Sequence, residues 1–199
     1  MNQEIFTSTI KALSYAMPKN DVRHYLNGIC LEIEREHITM IATNGHFLMR
    51  AVINHSVDWE SLTGYGEFII PNGDIKQLLK LFNIGVDLEL VQGETIDQLV
   101  IKTDKLAYTV NRLDGKYPNW RQVLNQSRST PKTRLEVGCN LECMEAICKA
   151  LKPLCVNNFK GGVFTISDPS EPIGIKPSLS EFHSEHIEQF DCVLMPMRI

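Results

Sequence analysis

The chain has 199 residues, 43% of them hydrophobic and 22% charged, the balance of a globular protein of one or two domains with enough apolar surface for a core. Lys plus Arg number 20 and Asp plus Glu 24, a net charge of -4, which excludes a chain coated in positive charge but not a local basic face. No apolar run approaches the ~20 residues that cross a bilayer, and the opening Met1-Asn2-Gln3-Glu4 lacks a signal-peptide layout, so a cytoplasmic protein is expected, with its six cysteines as thiols.

Phe6, Ile10, Leu13 and Met17 recur at spacings of 4, 3 and 4, one face of an amphipathic helix that Pro18 and Asn20 end. The period then changes to two. Ile29, Leu31 and Ile33 alternate with Cys30, Glu32 and Glu34, and Ile38, Met40 and Ala42 with Thr39 and Ile41, before a third run from Phe47 to Val52. This predicts a three-stranded meander with one face of each strand buried. The order then recurs. Phe68-Ile69-Ile70 reads as a strand, Pro71-Asn72-Gly73 as a turn, and Asp74 as the cap of a helix bearing Ile75, Leu78, Leu79 and Phe82. Val86-Leu88-Leu90, Leu99-Ile101 and the run Ala107 to Val110 follow as strands, and residues 125–133 (NQSRSTPKT) read as a linker.

A third round begins with strand Leu135-Glu136-Val137 and a helix capped by Asn140 that carries Leu141, Met144, Cys148 and Leu151. Val163 to Ile166, Ile173 to Ile175 and Cys192 to Leu194 close it as strands. Three helix-plus-meander units of about 60 residues each are therefore expected. Such a unit covers one side of its sheet with a helix and cannot bury the sheet alone, so the units should associate side by side.

Signals for catalysis are poor. Gly64-Tyr65-Gly66 lacks the third glycine of a dinucleotide loop, and no phosphate-binding GxxxxGK motif occurs. Cys139 and Cys143 lie four apart and His183 and His186 three apart, without a CxxC pair. Cys143 and Cys148 read as small apolar residues of the third helix. No enzyme, metal or cofactor is expected.

Four segments are more specific: Asp21-Val22-Arg23-His24-Tyr25-Leu26-Asn27-Gly28, Ala42-Thr43-Asn44-Gly45-His46-Phe47-Leu48, Asp114-Gly115-Lys116-Tyr117-Pro118-Asn119-Trp120, and the ending Val193-Leu194-Met195-Pro196-Met197-Arg198-Ile199. In this order they resemble the bacterial beta sliding clamp, the processivity subunit of DNA polymerase III, whose members carry D-V-R-x-Y-L-N-G, A-T-D-G-H-R-L, D-G-x-F/Y-P and a terminal V-x-M-P-M-R-L. Residues 1–124 resemble that family's middle domain without its first strand, residues 125–133 remain the linker, and residues 134–199 resemble a shortened C-terminal half domain, with Phe159-Lys160-Gly161-Gly162-Val163 matching its first half. The resemblance implies an α+β fold, the DNA-clamp fold, built from three helix-plus-β-meander half-domain units.

It also implies a scaffold: a DNA replication protein that tethers polymerases through an apolar pocket for short linear peptides and encircles double-stranded DNA without sequence preference. Carried over by motif, the peptide-binding pocket falls on Leu26, then Thr43, Gly45, His46 and Leu48, then Pro118 and Val123, and finally Val193, Met195, Pro196, Met197 and Arg198. An isolated Met-Pro-Met end reads as the finish of a packed strand; beside three further motifs, its adaptable thioethers suit a pocket for varied apolar peptides. Asn44 stands where the family has Asp, Phe47 where it has a basic residue and Gln122 where Arg is common, which implies a less charged rim. His24 and Tyr25 match positions near DNA, and Lys11, Lys76, Lys80, Lys149 and Lys152 lie on the three helices that would line a hole. Family rings have six domains of two helix-bearing halves each, so four copies of three halves restore twelve, and a homotetramer is favoured over a lower oligomer. The alternative is a clamp mimic that forms no ring and competes for clamp-binding partners.

Overall fold

The computed structural model describes residues 1–34, 36–54, 66–82, 87–126, 137–155 and 161–197. Asn2 opens the first helix, α1 (Gln3–Ser14), its side-chain oxygen accepting the N–H groups of Glu4 (2.9 Å) and Ile5 (3.3 Å), which satisfies donors that no helical carbonyl reaches. The predicted stripe holds: Phe6, Ile10 and Leu13 are fully buried. The strands β1 (Gly28–Ile33), β2 (His37–Thr43) and β3 (Phe47–Asn54) form the first meander.

The next strand, β4 (Glu67–Pro71), belongs to that meander rather than opening a second unit, since it pairs antiparallel with β1 from Gly28↔Pro71 to Glu32↔Glu67. Gly28 is required there, because a Cβ would lie 2.4 Å from the Ile70 carbonyl oxygen. Pro71-Asn72-Gly73 is not a free turn: Pro71 is the N-cap of α2 (Asn72–Leu81), and Asp74 sits inside its first turn and accepts from the Tyr108 hydroxyl (2.7 Å) instead of capping. Proline's fixed φ and missing N–H suit a helix start, which the turn reading overlooked.

Strands β5 (Glu89–Gln92), β6 (Gln98–Lys102) and β7 (Ala107–Asn111) make a separate three-stranded sheet. Helix α3 (Trp120–Gln126) follows, taking in Asn125 and Gln126 of the expected linker; residues 127–133 lie outside the described residues, as do Val86, Leu135 and Glu136 of two predicted strands. Helix α4 (Leu141–Leu151) is capped by Asn140, whose oxygen accepts from Glu142 (2.8 Å) and Cys143 (3.2 Å). Its buried stripe is Cys143, Ile147, Ala150 and Leu151, whereas Leu141 is 81% exposed and Cys148 is exposed. The helix is rotated from the expected stripe because small Cys and Ala side chains let it sit close to α1 and the sheet.

β8 (Gly162–Thr165), β9 (Ile173–Pro177), the short helix α5 (Glu181–His186) and β10 (Ile187–Leu194) end the fold. β10 pairs antiparallel with β3, Leu194 opposite Phe47 and Asp191 opposite Arg50, so first and last units share one sheet of order β4-β1-β2-β3-β10-β9-β8.

The expectation of one buried face fails at the centre of this sheet, where β1 is buried at all six positions. Alternation survives as a division between two cores. Ile29, Leu31, Met40, Met49 and Cys192 face one core with the helices, in which α1 packs beside both α2 and α4. Cys30, Ile41, Leu48, Ile69 and Val193 face a second core, closed by Tyr117, Trp120 and Leu124. The stretch from Tyr117 to Leu124, for which no helix or strand is predicted, therefore covers the other side of the sheet.

Candidate functional site: a cleft beneath the second core

Three segments meet at a cleft of about 180 Å³. The first is the turn His24–Leu26 before β1. Asp21 accepts the backbone N–H of Arg23 (2.8 Å) and both its Nε (3.0 Å) and Nη2 (2.8 Å), while Asn27 returns two hydrogen bonds to the Asp21 backbone, 2.8 Å from its N–H and 2.9 Å to its carbonyl. Arg23 holds the Asp21 carboxyl down to about 2. This brace explains the D-V-R…L-N pattern physically: it fixes Leu26 pointing into the fold, 1% exposed, and Arg23 at the rim of the cleft.

The second segment is the β2–β3 hairpin. Asn44 Oδ1 accepts from the N–H groups of His46 (2.9 Å) and Phe47 (3.1 Å), and Thr43 Oγ1 donates to the Phe47 carbonyl (2.8 Å) while accepting from Gly45 N–H (3.1 Å). Gly45 sits at φ +87°, where glycine carries no steric cost. The Asn44 oxygen serves only as an acceptor here, a task Asp performs equally. The third is Pro118-Asn119-Trp120 with Val123 on α3. Trp120 Nε1 donates to Glu32 (2.9 Å), Arg121 donates to the same carboxylate (3.0 Å from Nη1), and the Arg121 guanidinium lies 4.2 Å from the Trp120 ring centroid. Thr43 N–H donates to the Tyr117 hydroxyl (3.1 Å), and burial pushes that phenol well above its ordinary range.

Eight of the twelve positions expected to bind peptide line this cleft: Leu26, Thr43, Gly45, Leu48, Pro118, Val123, Val193 and Met195. His46 is exposed and contributes its carbonyl, which takes the Met195 N–H (2.7 Å). Pro196 and Met197 run past the cleft, where Met197 N–H donates to Gly138 (2.8 Å) and its side chain is 49% exposed. Arg198 lies outside the described residues. Arg23, Phe47, Asn119 and Trp120 also line it. All four stand inside the motifs already singled out, so the signal was present and was not extended to them. Phe47 borders the cleft where β3 begins, but its side chain, 3% exposed, is packed in the helix-side core.

The residues expected near DNA occupy two separate places. Lys11, Lys76, Lys80 and Lys149 are exposed on α1, α2 and α4, and Lys152 on the 3₁₀ turn Lys152–Leu154 that follows α4. Lys11 and Lys149 line a groove of about 400 Å³ between α1 and α4 that Glu4 also enters, and Lys149 pairs with Glu145 at 2.8 Å. His24 and Tyr25 lie on the turn beside the cleft, edge-to-face at 5.8 Å, with Tyr25 against the second core. Among the described residues, no three His, Cys, Asp or Glu side chains are placed to hold a metal ion, and no helix is long and apolar enough to cross a membrane.

Residues 1–119 match the family pattern described as DNA polymerase III beta subunit, central domain. The beta sliding clamp of Escherichia coli (strain K12) is 31% identical over 132 residues, which cover 66% of this chain and 34% of that protein. The beta sliding clamp of Vibrio cholerae serotype O1 is 28% identical over 151 residues, 75% of this chain and 38% of that protein. The chain thus spans about a third of the length of the curated relatives it matches. Among solved structures, the DNA polymerase sliding clamp of Caulobacter crescentus superposes with a TM-score of 0.76 at 16% identity, covering 100% of this chain and 65% of that one. A sliding clamp of Bartonella birtlesii bound to griselimycin superposes with a TM-score of 0.71 at 18% identity, over the same shares of the two chains. By its fold, its braced motifs and the match over residues 1–119, the chain belongs to the beta sliding clamp family, the DNA polymerase III beta subunits.

Proposed function

We propose that this protein is a non-catalytic processivity clamp whose cleft takes short linear peptides of a DNA polymerase and of other clamp-binding proteins. The observation that carries the reading is the cleft itself. It is walled by Leu26, Leu48, Val123, Val193 and Met195, and at about 180 Å³ it is smaller than the ~300–1,000 Å³ of a small-molecule site. That is the size of an anchor side chain, and buried apolar anchors dominate the affinity of such peptides. Phe47 is buried and does not reach the rim, so the reduced charge there rests on the exposed Gln122 alone, which favours apolar over acidic flanks.

The test is fluorescence-anisotropy titration of a labelled Gln-x-x-Leu-Phe peptide. Deleting residues 195–199 is expected to abolish binding without unfolding the protein, and unchanged affinity of that variant would sink the assignment.

Encircling double-stranded DNA as a homo-oligomer, with a tetramer favoured, is the second part of the proposal. The exposed lysines on α1, α2 and α4 support it, because phosphate contacts alone give binding that ignores sequence and falls steeply with salt. A clean monomer with an intact peptide site would instead favour the clamp mimic that competes for partners.

A further inference from the structure

β8 is an outer strand of the seven-stranded sheet: β9 pairs with one edge and, among the described residues, nothing pairs with the other. Its neighbours are covered, with Ile173 and Ile175 of β9 at 2% and 3% exposure. β8 overhangs that cover. Val163 is 65% and Phe164 52% exposed, and being consecutive they bare both faces of the strand. Soluble proteins blunt such edges with charge, proline or a bulge. Residues 161–167 (GGVFTIS) contain no charge and no proline, and the register with β9 is unbroken from Gly162↔Pro177 to Thr165↔Gly174.

The pairing with β9 fixes which backbone groups face outward. Ser178 N–H donates to the Gly161 carbonyl (3.0 Å), and hydrogen-bonded positions alternate along an antiparallel pair, so Val163 and Thr165 also turn their N–H and C=O toward β9. Pro177, which has no N–H, duly stands opposite Gly162, at a position that needs none. Gly162 and Phe164 are left with both groups turned outward.

We propose that this edge pairs with the same edge of a second copy, as an antiparallel ladder centred on Phe164. The edge is its own complement: about a twofold axis at Phe164, each Phe164 N–H meets the other copy's Phe164 carbonyl, and Val163 stands opposite Thr165 of the second copy. Self-pairing brings any charge on the strand close to its own image, and this strand carries none. The ring of Phe164 packs beside its mate on one face, and Val163 beside Thr165 on the other. The proposal deepens the oligomeric part of the function above and rests on that reading only there, since no residue of β8 lines the cleft.

Light scattering and oxidative cross-linking test it, with peptide titration as the separate readout for the cleft. The wild type is expected at a multiple of 22.6 kDa at micromolar concentration, and Phe164→Lys is expected to halve that mass while keeping wild-type peptide affinity. Phe164→Cys should give a reducible dimer above the wild-type background, because hydrogen-bonded partners hold their Cα atoms ~5.5 Å apart, inside the disulfide range. Thr165→Cys should not, its mate lying about 8 Å away across and along the ladder. A wild-type monomer, a Phe164→Lys mass equal to the wild type's, or equal cross-linking at both positions overturns the proposal. Loss of peptide binding in every variant with this mass pattern intact overturns the cleft reading and leaves the edge standing.

Discussion

The two sides of the seven-stranded sheet are buried in different ways. The helix side is an aliphatic and aromatic core under α1, α2 and α4. Among the described residues, its buried polar atoms Thr9 Oγ1 and His183 Nε2 have no hydrogen-bond partner. The α3 side is smaller and threaded with paired polar groups: Glu32 takes both Trp120 and Arg121, the Tyr117 hydroxyl takes the Thr43 N–H, and Arg50 donates to Asp191 at 2.8 Å. Apolar packing is non-directional, so the helix side sets stability without fixing any one geometry closely. Hydrogen bonds are directional, and those on the α3 side fix where Trp120 and Val123 stand and hence the wall of the cleft. One face holds the sheet together, and the other holds a site in shape.

The sharpest way to break this contrast is to truncate one residue on each side. Phe68→Ala, a fully buried ring on the helix side, is expected to cost about 3–5 kcal/mol in chemical denaturation and to leave peptide affinity unchanged wherever the protein is still folded. Trp120→Phe keeps most of the packing but removes the indole N–H from Glu32, at a cost of about 1–3 kcal/mol. Its larger consequence should be in the anisotropy titration, where a loosened α3 weakens binding at least several-fold. Equal losses of affinity in the two variants would show that the sides do not divide their tasks.

How much of this was legible depended on range. The helices α1 and α2, the meander strands and the Asn140 cap follow from spacing over a dozen residues, and the periodicity finds them. The β3–β10 pairing joins residues such as Arg50 and Asp191, which nothing in local pattern links. α3 has only seven residues, and its register signal is Trp120, Val123 and Leu124 alone, too short for a periodicity to declare itself. Missing α3 led to the wrong expectation for β1 and β2, because a strand covered on both faces has no polar alternation to confirm. At the site, motif resemblance supplied eight wall residues, while Arg23, Phe47, Asn119 and Trp120 stand in the same motifs and only the fold shows that they border the cleft.

Acid should separate the two sides again. Ser180 Oγ lies 2.6 Å from His183 Nδ1, the ring is 8% exposed, and burial lowers the imidazole pKa from its ordinary 6.5. The Glu4 carboxylate opposes that shift and His186 adds to it. A folded-state pKa below the unfolded one means that the unfolded chain binds the proton more tightly. The stability is therefore complete above about pH 6.5 and is lost as the pH falls below it toward the folded value. Thermal unfolding followed from about pH 7 to about pH 5 should show a falling midpoint. His183→Gln should flatten that slope, and a wild-type midpoint constant over the range would refute the assignment to His183.

The smallest effect expected belongs to the three-stranded sheet, which has no counterpart of α3 among the described residues. Its strands keep the clean alternation that β1 lost: Leu99 and Ile101 are buried, with Gln98, Val100 and Lys102 half-exposed between them. On that open face Lys102 stands directly opposite Glu89, 3.2 Å away, with 40% and 58% of the two side chains exposed. Water solvates both charges and ordering two long side chains opposes their attraction, so Lys102→Gln should change stability by less than ~0.5 kcal/mol. Arg121 and Glu32 form an ion pair of the same chemistry in the other setting, where the Glu32 side chain is only 11% exposed. Arg121→Gln removes the charge that faces a largely buried carboxylate, and its cost should exceed that of Lys102→Gln by about 1 kcal/mol or more. The two variants, compared by urea denaturation in one buffer, isolate what the cover contributes. Equal costs would mean that α3 leaves the dielectric around Glu32 as wet as that around Glu89, and that the directional bonds credited with shaping the cleft are no stronger than those of an open sheet.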